Sequence, residues 1–102
     1  MNLRKAAKEE EAQGHGDPSI TMRTHQFESG VALLVENSAD GNVVLTETLT
    51  FNNTNLEILG SPKGTKEITF KVNPGQENLI ILKTIEIGGF QFSMGIEQSI
   101  SS

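Results

Sequence analysis

The chain has 102 residues, which is room for one small domain and not for a catalytic domain with a second module. Its hydrophobic share is 35%, thin for a globular protein yet too rich in Ile, Leu, Val and Phe for disorder throughout. A net charge of −5 argues against a phosphate backbone or an anionic bilayer as main partner, and the absence of Cys removes disulfides, thiolate metal sites and a cysteine nucleophile together.

Residues 3–13, LRKAAKEEEAQ, are good helix formers. Only Leu3, Ala6, Ala7 and Ala12 are apolar there, so a solvated tail or linker is expected over a packed helix. No apolar stretch near the start has signal-peptide character, and none approaches the ~20 residues needed to cross a membrane. The chain therefore reads as soluble and cytoplasmic. Gly14 to Ser19, GHGDPS, reads as a hinge, its Asp17-Pro18 pair disfavouring helix.

Beyond Ser19 the apolar period changes to two. Ile20, Met22 and Thr24 alternate with Thr21, Arg23 and His25, as in a half-buried strand. Gly30 precedes VALLVEN, whose apolar residues on both faces predict a strand covered on both sides. Asp40-Gly41 is a tight-hairpin signal, and VVLTETLTF follows as the next strand. There Val43, Leu45, Leu49 and Phe51 share a face with Glu47, while Val44, Thr46, Thr48 and Thr50 share the other. A carboxylate on the apolar side is expected at a bulge that turns it outward, because an ionised one in a dry core would cost several kcal/mol.

Leu56 to Leu59 reads as a short strand ended by Gly60 and the Ser61-Pro62-Lys63-Gly64 turn. In KEITFKV, Ile68, Phe70 and Val72 alternate with polar residues, and Asn73-Pro74-Gly75-Gln76 fits a type II turn. NLIILKTIEI predicts a central strand with both faces buried, broken by Gly88-Gly89. Phe90, Phe92, Met94 and Ile96 predict one face of a final strand, followed by a polar tail. Seven such strands with turn signals between them predict an all-β fold, an antiparallel β-sandwich of about seven or eight strands with a short N-terminal leader, helical or disordered. Residues 1–17 are the leader or linker and 18–100 the sandwich; a small barrel is the second choice.

The sequence carries few residues with catalytic or metal-binding chemistry. His15 and His25 have no carboxylate or hydroxyl at triad spacing and are expected to be solvated, and Asp17 beside His15 is a poor metal candidate. Calcium needs about six to eight oxygen ligands, whereas the only aspartates are Asp17 and Asp40, and the run Glu9 to Glu11 reads as part of the solvated leader. Gly60, Gly64, Gly75, Gly88 and Gly89 are turn glycines with no following helix, so no phosphate cradle is implied. Asn52-Asn53-Thr54 matches a glycosylation sequon, a motif frequent by chance. All five aromatics are Phe, so base-stacking platforms and Trp or Tyr anchors are missing. No catalytic, cofactor-binding or metal residue is assigned and no enzyme activity is expected. Nucleic acid is excluded as a partner, and neither calcium nor phospholipid is expected.

From Gly30 onward the order of features resembles the C-terminal, C2-like β-sandwich of calpain-type proteins, most of all the small-optic-lobes type. The residues that carry the resemblance are Ala32 to Val35 with Glu36 and Asn37, then Phe51-Asn52, then Val72, Asn73, Pro74 and Gly75, then Leu79 to Leu82, and last Glu86, Gly88, Gly89 and Phe90. The resemblance implies a non-catalytic regulatory or protein-binding module, beside a cysteine protease domain in cis or on another polypeptide in trans. No functional residue transfers, and the missing aspartate loops depart from the calcium- and phospholipid-binding members. A self-assembling structural protein, pairing through edge strands and favoured by the Thr-rich third strand, is the alternative reading.

Overall fold

A computed structural model describes residues 2–15 and 17–101. It contains one helix, α1 (Leu3–Lys8), and eight strands: β1 (Gln13–His15), β2 (Asp17–Phe27), β3 (Gly30–Asn37), β4 (Val44–Phe51), β5 (Leu56–Ile58), β6 (Glu67–Val72), β7 (Glu77–Thr84) and β8 (Met94–Ser101). All pairings are antiparallel. A larger sheet of order β1-β2-β3-β7-β5 faces a smaller one of order β6-β4-β8, which makes the fold an all-β sandwich of eight strands.

Period-two alternation positions the core. Met22, Val31, Leu33, Val35, Ile80 and Leu82 of the larger sheet meet Leu45, Leu49, Phe51 and Val72 of the smaller one. β3 is covered on both faces as its sequence predicts, Val31 to Val35 being wholly buried. The cover on its outer face comes from the leader. α1 packs across β2 and β3 with Ala7 fully buried, on the side where Ala32 and Leu34 point away from the inter-sheet core. Asn2 caps the helix by accepting a hydrogen bond from the Lys5 amide at 3.0 Å. The expectation of a solvated leader is thus corrected: a single small residue suffices to seat one and a half turns of helix when charged groups ring the contact. The hinge expected over Gly14 to Ser19 includes Gly16, which lies outside the described residues.

Several boundaries differ from the expected ones. The tight turn expected at Asp40-Gly41 forms one residue on, at Gly41-Asn42 with Gly41 at φ 76°, but β3 and β4 lie in different sheets, so the turn is part of a crossover and not a hairpin. The β2–β3 hairpin turns instead at Glu28-Ser29, with Phe27 paired to Gly30. β7 stops at Thr84; Ile85 and Ile87 leave the sheet and are exposed. Phe90 and Phe92 precede the last strand, which starts at Met94 and runs through the expected polar tail to Ser101. The Asn73-Pro74-Gly75-Gln76 turn forms as predicted, with Gly75 at φ 76° and the Gln76 amide bonded to the Asn73 carbonyl at 3.0 Å.

Asn37, at the end of β3, ties the two sheets together. It is 1% exposed; its side-chain amide donates to the carbonyls of Val43 (2.9 Å) and Val72 (3.0 Å), and its Oδ1 accepts from the Ala39 amide at 3.0 Å. Its backbone also exchanges hydrogen bonds with Gly75 and Gln76 of the Pro-Gly turn. Truncating it strands one buried and two half-buried backbone partners, so Asn37→Ala is expected to cost about 2 kcal/mol. The check is a lowered urea midpoint with unchanged slope, and an unchanged midpoint would contradict the role given to it.

Candidate functional site

The shifted carboxyl groups lie in two places. The first is the outer face of the larger sheet, where antiparallel register sets Arg23 and His25 of β2, Glu36 of β3 and Glu77 of β7 beside α1. Arg4 bonds Glu77, Lys8 bonds Glu36, and Arg23 donates to Glu36 at 2.7 Å while also holding the carbonyls of Lys8 and Glu10 at 3.0 and 2.8 Å, where the helix ends. Burial resists ionisation of Glu36, but the hydrogen bonds from Lys8 and Arg23 outweigh it, so that carboxyl titrates below the ordinary range. The Arg4 hydrogen bond likewise lowers Glu77, against a smaller opposing effect of burial. His25, expected to be solvated, instead stacks on Phe27 with ring centroids 6.2 Å apart and meets the Glu10 carboxylate at 2.9 Å. Glu10 therefore joins the charged groups that hold α1 and the residues after it to the sheet. The arrangement docks a helix and aligns no nucleophile.

His15 and Asp17 are strand residues whose side chains lie outside what is described, so their pairing as a metal candidate does too. Among the described residues no group of three His, Cys, Asp or Glu side chains could hold a metal ion. Among them, too, no helix is long and apolar enough to cross a membrane.

The second place is a single side chain. Glu47 lies at the middle of β4, the central strand of the smaller sheet, with 0% of its surface exposed, and neither carboxylate oxygen has a hydrogen-bond partner. It faces the inter-sheet core between Phe70 of β6 and Gln98 of β8. Burial pushes its carboxyl above the ordinary value; the Gln98 amide pulls weakly the other way without reaching hydrogen-bond geometry.

The bulge expected to turn Glu47 outward is absent, and the register runs unbroken from Leu45 to Thr50 on both sides. Magnitudes explain why. One bulge would flip every residue beyond it, sending Leu49 and Phe51 to solvent at about 1.5–3 kcal/mol each. A neutral, unpaired carboxyl costs about 1–3 kcal/mol, so the apolar residues prevail. The alternation had placed Glu47 on the apolar side; only its outward escape fails.

The remaining functional feature is the set of sheet edges. The larger sheet ends in β1 and β5, each of three residues, too short to template much. The smaller sheet ends in β6 and β8. β6 carries Glu67 and Lys71 with Lys66 just before it, the charges that discourage strand addition. β8 is eight residues long with Glu97 as its one charge, is bonded to β4 alone, and leaves Ile100 42% exposed on the core side. Thr46, Thr48 and Thr50 of β4 form the outer face of the smaller sheet, the polar face expected for them, and because β4 is central they border no edge.

No family model, curated protein or solved structure matches the chain. The β8 edge escaped the sequence reading because its second half, Gln98 to Ser101, has the composition of a tail; the alternation of Ile96, Gln98 and Ile100 was the available signal.

Proposed function

We propose that the chain is a non-catalytic β-sandwich interaction module that regulates or binds protein in the cytoplasm, within or beside a calpain-like protein, by accepting a strand at the open edge of its smaller sheet. The observation that carries this reading is β8, the longest edge strand, whose eight residues carry a single charge to deter a partner strand. The order of motifs from Gly30 to Phe90 supports the calpain-type setting, and an acidic surface with two aspartates suits a protein partner better than calcium or anionic lipid.

Isothermal titration of the chain with a purified calpain-type protease domain tests it. Binding is expected, and Ile100→Lys, which sets a charge on the core side of the edge, is expected to weaken it at least about tenfold. Circular dichroism verifies that the variant folds, and Ser99→Glu on the opposite face serves if it does not. Absence of binding by the wild-type chain, or affinity indifferent to both substitutions, counts against the proposal.

A further inference from the structure

We infer that β8 is self-complementary and that in the free chain its edge is occupied by the β8 strand of a second copy, aligned antiparallel about a two-fold axis through Gln98. The inference rests on the reading of β8 as the contact edge and adds the occupant and its register. Residues directly opposite in an antiparallel pair share a face, so a two-fold axis must pass through a residue and not between two. An axis through Glu97 sets two carboxylates directly opposite, which is repulsive. An axis through Ser99 faces Ile100 with Gln98, leaving the apolar residue against an amide.

The axis through Gln98 avoids both faults. It sets Ile96 opposite Ile100 twice, once on each side of the axis, and Ile96 is the half-buried neighbour of the core while Ile100 is its exposed one. It pairs Glu97 with Ser99 and Gly95 with Ser101 on the outer face, with no like charges opposed. The two Gln98 side chains meet as an amide pair, each side of which can both donate and accept. The result is a continuous six-stranded sheet across the dimer, with the partly covered apolar rim at Ile96 and Ile100 closed over.

Sedimentation of the wild-type chain and cross-linking of single-cysteine variants test the inference; the chain has no other Cys to interfere. A concentration-dependent dimer is expected. Gln98→Cys is expected to form an intermolecular disulfide under mild oxidation, because that residue faces its own copy, whereas Glu97→Cys is two residues out of register with itself, beyond disulfide reach. Ser99→Glu, placed opposite Glu97, is expected to raise the dimer dissociation constant at least about tenfold, and Ser99→Lys to lower it. A wild-type chain that stays monomeric at millimolar concentration overturns the self-pairing while leaving protease-domain binding free to stand. A dimer that cross-links equally at 97 and 98, or is insensitive to charge at 99, overturns the register and with it the inference.

Discussion

Glu47→Leu is expected to raise stability by about 2–4 kcal/mol at neutral pH. The gain comes from removing a buried carboxyl without partners and burying an apolar side chain of similar size in its place. Its pH dependence follows from the direction of the titration shift. Burial raises the carboxyl of the folded state above the ordinary 4.5, so the folded chain holds the proton more tightly than the unfolded one. Below the unfolded value both states are protonated and the group does least harm. As pH rises through the folded value, stability drains away, and above it the loss is constant. The gain from Glu47→Leu is therefore expected to be smallest in acid and to grow across that window, and Glu47→Gln, neutral at every pH, should share the pH dependence.

Among the described residues, no other charge faces Glu47 from the core side of the strands around it. β6 presents Ile68, Phe70 and Val72 there, and β8 presents Met94, Ile96, Gln98 and Ile100. The facing sheet presents Met22, Thr24 and Gln26 from β2, Val31, Leu33 and Val35 from β3, and Asn78, Ile80 and Leu82 from β7, none of them titratable. Glu36 and Glu77, both lowered, act in the opposite sense on the outer face, contributing stability above the ordinary carboxylate value and losing it in acid. Their effect is common to wild type and variant, so the difference between two urea curves isolates Glu47. A gain independent of pH, or a loss, would show that the carboxyl is hydrated or paired in solution.

The second large effect concerns Gly30, which starts β3 opposite Phe27 and Lys83. A Cβ built there would stand 2.0 Å from the carbonyl oxygen of Leu82 and 3.0 Å from the Phe27 ring. The oxygen belongs to β7, held between β3 and β5, and cannot retreat without breaking the centre of the larger sheet. Gly30→Ala is therefore expected to cost about 3 kcal/mol or more, which for a chain of this size lowers Tm by about 12–24 °C. Gly14→Ala, where no atom lies within 4 Å of the added carbon, is the control and should stay within about 0.5 kcal/mol of wild type. Thermal melts followed by circular dichroism decide it: equal melting of the two variants would refute the close approach.

How much of this was legible follows the reach of the interaction that decides each feature. Strand identity and the Pro-Gly turn depend on neighbours in the chain, and both were readable. The crossover at Asp40-Gly41 was not, because a tight turn has the same residues whether it joins strands of one sheet or of two. The docking of α1 depends on Ala32 and Leu34, about 25 residues away, and on carboxylates of β3 and β7, so its own sequence reads as tail. Glu47 lay at the boundary: its parity was plain, but the contest between one carboxyl and two apolar side chains could be settled only once the strand was seen to be paired on both flanks.

The order of strands also governs how the chain comes to its fold. β1, β2 and β3 are consecutive neighbours, yet every one of the five later connections passes from one sheet to the other. Neither sheet can therefore be completed before the other has begun, and each crossing closes a loop whose entropy is spent before the next contact rewards it. The β2–β3 hairpin is the piece able to form at the speed of local contacts, while the rest condenses on the slower schedule of non-local β proteins, milliseconds to seconds. Gly30, at the turn of that hairpin and against β7, joins the fast step to the slow one.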